Sequence, residues 1–297
     1  MSRFSLPWRS LSVTAVVVLA GCATVSQEQN VERVNEEIGD FSGGKVSMTR
    51  TAKEREAQAR TATDLLKLPL GQKEAVQLTL VNSPALQTLL AQGWAETADA
   101  AQSGRISNPI FSYERLAAGS ELELSRALSF GLLDVLTLPV RQGVAIQRIQ
   151  QAQLRLTGEV IDQVTRTRQA WVRAVATQQI LKYAQQVCES AEASAELARR
   201  MQATGNFNRI SRAREQSFYA DAATRLATAQ HQVTASREAF VRLLGLDESQ
   251  AQLLKLPERL PDLPKTPLEP NAVGALATQG RLDIRLAQSA LAGAGKA

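Results

Sequence analysis

Cys22 is the residue with the clearest chemical signal, because the residues around it indicate a modification of its thiol. It ends the tetrapeptide Leu19-Ala20-Gly21-Cys22, which follows a basic start and a short apolar run at residues 13–20. This order is typical of a bacterial lipoprotein signal, in which the Cys22 thiol is acylated and residues 1–21 are removed. An ordinary secretory signal with a coincidental cysteine is the alternative. Ala23 follows the cysteine, which favours sorting of the lipidated protein to the outer membrane.

The remaining residues offer little for catalysis or metal binding. The chain has one histidine, His231, and a second cysteine, Cys188, and both lie in stretches with helical composition. A single histidine cannot form a histidine-based metal site, and two cysteines cannot form a disulfide framework. The sequence has no glycine-rich phosphate loop, His-Glu ligand pair or nucleophile elbow. We therefore predict that the protein is not an enzyme and holds neither a metal nor a cofactor.

Glutamates alternate with apolar residues on both sides of a glycine-containing loop. The apolar set is Phe111, Tyr113, Leu122 and Leu124, and the acidic set is Glu114, Glu121 and Glu123. This period of two predicts a β-hairpin over 110–130, with strands at 110–115 and 121–130. The apolar parity continues to Leu128 and is broken by Arg126. The apolar face would meet a core in a soluble protein or lipid in a membrane barrel, and periodicity leaves both open.

The composition places this hairpin in a mainly helical chain. The 297 residues are 44% hydrophobic but only 4% aromatic, with 17 glycines and 10 prolines. All-β and α/β proteins usually contain more aromatic and turn residues, and disordered chains contain fewer aliphatic ones. The net charge of +5 is too small to indicate a nucleic-acid partner.

Helices are predicted on both sides of the hairpin. A short helix at 72–82 precedes it, followed by one that begins at Pro84 and ends at Gly104. No proline occurs from residue 140 to residue 256, and Gly205 is the clear interruption. We predict two long antiparallel helices at 143–204 and 208–244, the first about 90 Å long.

One face of the first long helix carries a narrow apolar stripe. Its members are Val160, Val164, Trp171 and Val175. A thin stripe of this kind is typical of helices packed side by side, as in a coiled coil. The predicted fold class is mainly α, with a very long, coiled-coil-like helical hairpin and one β-hairpin.

The two ends of the chain differ from this centre. Residues 22–71 are polar and charged, and we predict a lipidated tether with irregular or partly helical structure. Residues 257–270 hold five prolines, which predicts a linker. Residues 271–297 have a helical pattern similar to the segment that begins at Ser83, and we interpret them as the start of a second repeat.

This order of elements resembles the TolC-like outer-membrane efflux factors. The similar elements are the lipoprotein signal, the helix that begins at Ser83-Pro84, the hairpin after Asn108-Pro109, the turn at Gly205-Asn206, and the helix end Leu243-Leu244-Gly245-Leu246. The resemblance covers about residues 72–292. No motif in it is catalytic, and its strength is the order of the elements.

The resemblance implies an oligomer, a homotrimer in the family, located in the cell outer membrane and extending into the periplasm. The strands would close a β-barrel in contact with outer-membrane lipid, and the helices would form a tunnel. A periplasmic adaptor and an inner-membrane pump would be the partners of a passive duct for small molecules or metal ions. Phe111, Tyr113, Leu122 and Leu124 would face lipid, and Glu114, Glu121 and Glu123 would face the lumen.

The turn between the long helices would be the periplasmic tip. By the resemblance, Gly205, Asn206, Phe207, Asn208 and Arg209 would contact the adaptor and help to close the pore. A plain solvent-exposed turn is the alternative. Relatives place an aspartate soon after this glycine, whereas this chain has Ile210-Ser211-Arg212. A gating bond that depends on that aspartate is therefore not expected here.

The chain departs from the family in its repeats, because it has one hairpin and one long helix pair instead of two. Three copies would supply six strands, fewer than the roughly eight of the smallest usual membrane barrels. We expect either a chain truncated after its first repeat, which would lose pore function, or an assembly of six copies. The alternative function is a periplasmic adaptor or scaffold lipoprotein, although the β-rich halves that flank the helical hairpin of an adaptor are not predicted.

Overall fold

The computed structural model describes residues 26–118, 121–263, 265, 266, 274 and 280–295. Cys22 and the predicted signal segment lie outside these residues. The described helices are α1 (Gln27–Ser42), α2 (Ala52–Leu65), α3 (Gln72–Asn82), α4 (Pro84–Ser103), α5 (Leu132–Leu136), α6 (Leu138–Ala203), α7 (Arg209–Leu244), α8 (Glu248–Leu253) and α9 (Leu282–Ala294). The described strands are β1 (Ile110–Ala118) and β2 (Glu121–Ser129).

Helix α6 organises the molecule along its whole length. Its 66 residues extend about 100 Å, from the β-hairpin to the turn at Gly205. Helix α7 returns antiparallel to α6. Its C-terminal end lies beside the connection between α3 and α4, where the Asn82 side-chain amide donates to the carbonyl oxygens of Leu244 (3.2 Å) and Gly245 (2.8 Å). Helices α7 and α4 thus follow each other along α6. The predicted mainly α fold, with a long helical hairpin and one β-hairpin, is confirmed.

The boundaries of the long helices differ slightly from those expected. Helix α6 begins at Leu138 instead of 143 and includes Pro139 in its first turn. Proline is tolerated there because a first-turn N–H has no partner within the helix. Helix α7 begins at Arg209, and the Asn208 side chain caps it by accepting the Ser211 backbone N–H at 2.7 Å.

The core consists of clusters spaced along α6. The predicted stripe is buried, with Val160, Val164, Trp171 and Val175 at most 3% exposed. In the middle cluster, Trp171 packs with Phe240 and Leu244, and its indole N–H donates to the Leu70 carbonyl at 2.7 Å. Towards the turn at Gly205, the buried residues shrink to Cys188, Ala191 and Ala222. We call the part of the molecule around the two larger clusters the helical body.

The segment predicted as a tether is folded against this body. Val34 and Ile38 of α1 pack with Val160, while Leu66 and Leu70 join the cluster around Trp171. Residues 26–70 thus contain two helices that pack on the body, and the lipidated tether over 22–71 stays a prediction. The spacing of four between Val34 and Ile38 places both on one side of α1, and this short stripe was hidden by the polar residues around it.

The C-terminal part also lies on the body. The Leu260 N–H donates to Gln179 at 3.2 Å, so this part of the predicted linker is in contact with α6. Helix α9 contacts α6 through Gln151, and Arg285 pairs with Glu37 of α1 at 2.7 Å. Residues 271–273 and 275–279 lie outside the described part of the chain, and the second repeat stays a prediction.

None of the helices that the structure describes combines the length and the apolar character needed to cross a bilayer.

Candidate functional site

The pairing register of the β-hairpin decides which side chains share a face. Strands β1 and β2 are antiparallel, with Phe111 opposite Leu128 and Arg115 opposite Leu124. Residues directly opposite each other point to the same side of a sheet. The four residues expected to face lipid, namely Phe111, Tyr113, Leu122 and Leu124, therefore share one face, which we call the apolar face. Whether that face meets lipid stays a prediction.

The glutamates take the opposite face of the hairpin. Glu114 is opposite Ser125, and Glu123 is opposite Leu116, so both carboxylates are directed away from the apolar face. Glu121 pairs with Ala118 in the same register, and its side chain lies outside what the structure describes. The two faces thus differ in charge as well as in polarity.

No described element covers either side of the hairpin. Every side chain described between Ile110 and Phe130 is exposed, including Phe111 at 66% and Leu128 at 65%. Within the described chain, β1 and β2 pair only with each other, so both outer edges are free. A two-stranded hairpin is marginally stable in water, and free edges pair readily with other strands. The described residues thus leave the hairpin with an uncovered apolar face and two unpaired edges.

A polar clamp holds the base of the hairpin. The Arg141 guanidinium of α6 pairs with Asp134 of α5 at 3.0 Å and donates to the Ser103 carbonyl at the end of α4 at 3.1 and 3.2 Å. The Ser107 hydroxyl, in the segment before β1, donates to Asp134 at 2.5 Å. These bonds join the segments on both sides of the hairpin and fix its direction relative to α6.

Sequence reasoning missed Arg115 on the apolar face. Arg115 is the last residue of the expected strand at 110–115 and has the same parity as Phe111, but the sequence analysis assigned it to no face. The observed β1 continues past it to Ala118. The apolar face therefore carries two arginines, Arg115 and Arg126, with Arg126 opposite Tyr113. Among the described residues, neither arginine has a salt-bridge partner.

The turn at the far end of α6 brings the five expected tip residues together. Gly205 has a φ of 81°, and the Asn206 N–H donates to the Met201 carbonyl at 2.9 Å. This geometry ends α6 in a Schellman motif, which favours glycine at the left-handed position. Gly205, Asn206, Asn208 and Arg209 are exposed, and Phe207 is half-buried. Their contact with an adaptor stays a prediction.

The tip is basic, because its arginines outnumber its carboxylates. Residues 196–215 contain five arginines and two glutamates. Hydrogen bonds from Arg199 and then from Arg200 lower the pKa of Glu196 to about 2, so this carboxylate is shared by two guanidiniums. Arg209, Arg212 and Arg214 have no carboxylate partner in the described part of the chain.

The other chemistry-bearing residues lie in ordinary helical surroundings. His231 is exposed on α7, and Cys188 is a free, buried cysteine in the small cluster near the tip. The described residues contain no group of three or more His, Cys, Asp or Glu placed to share a metal ion.

Comparison with known proteins identifies the fold. No protein-family model and no curated protein matches the chain. A membrane protein from Pseudomonas aeruginosa has a similar structure, with a TM-score of 0.56 and 19% identity over 84% of this chain and 59% of that one. CusC, solved in a study of folding and transmembrane channel formation, has a TM-score of 0.54 and 17% identity over 80% of this chain and 55% of that one.

The outer-membrane channel OprN has a lower TM-score of 0.46, at 19% identity, over 84% of this chain and 57% of that one. The chain thus spans a little over half of the length of the solved structures it matches. At this level of identity, the likeness to the first two proteins shows a shared fold.

Proposed function

We propose that the protein is a component of an outer-membrane efflux channel of the TolC-like kind, a passive duct for small molecules or metal ions. The observation that carries this proposal is the β-hairpin, whose apolar side chains are exposed at one end of a helix about 100 Å long. The fold shared with CusC, whose study concerns transmembrane channel formation, supports it. Channel proteins are not enzymes, which agrees with the sequence-based expectation.

The length of the strands suits a membrane barrel. Nine residues at about 3.4 Å each make about 30 Å, or about 21 Å of height at a tilt of about 45°. The outward apolar band of such barrels is about 25 Å tall. Because the hairpin leaves both edges free, other strands must complete the barrel, and we propose a homo-oligomer, which is a trimer in the family that the chain resembles. Three copies of this hairpin supply only six strands, so the barrel would need either a second hairpin in each subunit or six copies of this chain. The apolar face would meet lipid, and Glu114 and Glu123 would line the water-filled lumen.

The opposite end of α6 would serve a protein partner. The tip from Gly205 to Arg209 would lie far from the membrane and meet a periplasmic adaptor, which in turn would meet an inner-membrane pump. Arg209 and its unpaired neighbours would favour an adaptor that presents acidic side chains. Lipid on Cys22 would anchor the protein to the outer membrane from the periplasmic side.

The alternative function, a periplasmic adaptor or scaffold lipoprotein, gains no support from the described residues. An adaptor of this type would flank its helical hairpin with β-rich halves. The described segments before β1 and after α7 consist of helices and irregular connections. We therefore retain the channel component as the proposed function.

Cysteine labelling on adjacent residues of β1 tests the two faces. In a Cys188→Ala background, Tyr113→Cys and Glu114→Cys would be treated in outer-membrane fractions with a membrane-impermeant maleimide. If the apolar face meets lipid and the other face meets water, the cysteine at position 114 reacts and the cysteine at position 113 is protected. Both cysteines should react equally once the protein is unfolded in a denaturing detergent with urea.

Two results would contradict the proposal. One is equal labelling of the two positions in intact membranes, which would mean that neither face is covered by lipid. The other is recovery of the folded protein in the soluble periplasmic fraction. Thr228→Cys, on the exposed surface of α7, provides the reference for full labelling in every preparation.

A further inference from the structure

Two arginines interrupt the face of the hairpin that the proposed function assigns to lipid. Arg115 and Arg126 lie on the same side as Phe111, Tyr113 and Leu124, and both are exposed. They occupy diagonal positions across the two strands, where Cα atoms are about 7 to 8 Å apart. Charged residues on the lipid face of a barrel are costly, and a charge inside a membrane is a functional-site candidate by default.

The hairpin itself cannot neutralise this charge. The strand positions on the apolar face hold aromatic, aliphatic and arginine residues but no carboxylate. Glu114 and Glu123 point to the other side of the sheet, because successive residues of a strand alternate. A neighbouring copy of the hairpin would present the same apolar face with two more arginines. In an assembly of copies of this hairpin, the counter-ion would therefore come from outside the hairpins.

Each arginine lies within reach of one end of the hairpin. Arg115 is three residues from the end of β1 at Ala118, and Arg126 is three residues from the end of β2 at Ser129. Three residues correspond to about 10 Å along a strand, and to about 7 Å of depth at a tilt of about 45°. A long arginine side chain can cross most of that depth by directing its guanidinium towards the headgroups.

We propose that Arg115 and Arg126 bind the phosphate groups of anionic lipids, one towards each end of the hairpin. This inference rests on the proposed function, because it requires the apolar face to lie in a membrane. A guanidinium can form two parallel hydrogen bonds to a phosphate group. An anionic lipid surface also attracts the guanidinium through its net negative charge, which a neutral lipid surface lacks. The hairpin then selects a membrane that contains anionic lipid, and the arginines are its selecting residues.

Insertion into vesicles tests the proposal with the full chain. The purified protein would be mixed with vesicles of phosphatidylcholine alone, or of phosphatidylcholine and phosphatidylglycerol at four to one. The inserted fraction is the protein that resists extraction with alkaline carbonate. We expect roughly fivefold more insertion per arginine into the anionic vesicles, and Arg115→Gln/Arg126→Gln should reduce this preference to near one.

A matched variant separates lipid binding from general attraction between a basic protein and an anionic surface. Arg166→Gln/Arg225→Gln removes the same charge from exposed positions of α6 and α7, where neither arginine has a described salt bridge, and should keep the preference. If this variant also loses the preference, the inference is wrong. Adding glycerol phosphate to neutral vesicles distinguishes a soluble anion from a lipid, and restored insertion would overturn the assignment to lipid.

The vesicle experiment gives different results if the inference is wrong and if the proposed function is wrong. Equal insertion into both vesicle types would overturn the inference and leave the membrane hairpin in place. Absence of insertion into either type would overturn both. Arg115→Lys/Arg126→Lys, which keeps charge but loses the paired donors, should keep part of the preference.

Discussion

The middle of the helical body and the β-hairpin contain similar apolar residues, but these are buried in the body and exposed in the hairpin. Both are rich in aromatic and aliphatic side chains, but Phe240 is fully buried against Trp171 whereas Phe111 is 66% exposed. The body buries its two larger apolar clusters among residues of this chain. The hairpin leaves its apolar face and both strand edges uncovered. Apolar burial in the described chain is thus concentrated in the body, whereas the proposed function assigns the apolar face of the hairpin to lipid.

The largest expected effect is a loss of stability on truncating a body residue. Phe240→Ala should lower the free energy of unfolding by about 3 to 5 kcal/mol, because it removes a fully buried ring and leaves a cavity. Leu128→Ala in the hairpin should change it by less than about 0.5 kcal/mol, because that side chain buries little. Urea unfolding followed by circular dichroism measures both. Similar losses for the two variants would mean that the hairpin shares the core of the body.

The next largest effect is expected on membrane insertion, which should depend on the hairpin and not on the body. Leu124→Lys adds a charge to the apolar face at the depth of Arg115, its partner across the strands. If that face meets lipid, the variant should reduce membrane insertion by about 1 to 2 kcal/mol, between the cost at the midplane and the cost near the interfaces. Ser125→Lys, one residue along on the opposite face, should change insertion by much less. Neither variant should alter the urea midpoint of the body. Equal loss of insertion would show that both faces meet the same environment.

A smaller effect is expected at the turn that closes the long helix pair. Gly205→Ala should cost about 1 kcal/mol, because the left-handed φ of 81° disfavours a side chain although the surrounding space is open. Gly158→Ala on α6 also has open space but lies in a helix, and should stabilise by about 0.5 to 1 kcal/mol. A lower urea midpoint for Gly205→Ala and a higher one for Gly158→Ala would confirm that stability depends on the left-handed backbone at Gly205. Shifts of the same sign would contradict this interpretation.

The smallest effect concerns the partly exposed ion pairs of the tip. Hydrogen bonds from Arg199 and Arg200 lower the pKa of Glu196 from 4.5 to about 2, so any stabilisation from this site is present above about pH 4.5 and is lost as the pH falls through about 2. Carbon-detected NMR of the Glu196 carboxyl should show this titration. Arg199→Gln should raise the pKa more than Arg200→Gln, because the Arg199 hydrogen bond is the larger cause. An unchanged pKa in both variants would mean that the pairs do not form in solution.

The sequence predicted the elements whose signals are local. The absence of proline from residue 140 to residue 256 and the glycine at 205 predicted the long helix pair to within a few residues. The period of two around the loop predicted the hairpin and the separation of Phe111 from Glu114. These features depend on neighbours in the chain, so they can be read without knowledge of the packing.

Other features depend on residues distant in the chain, and only the tertiary structure decided them. The polar segment around Val34 and Leu70 became part of the core because α6 offers apolar partners more than 90 residues away. The clamp of Arg141, Asp134 and Ser103 joins three segments whose proximity no local pattern reveals. The extension of β1 from residue 115 to Ala118 depends on its pairing with β2. Local periodicity specifies the secondary structure of each segment, whereas helix packing and strand pairing decide which other segments it contacts.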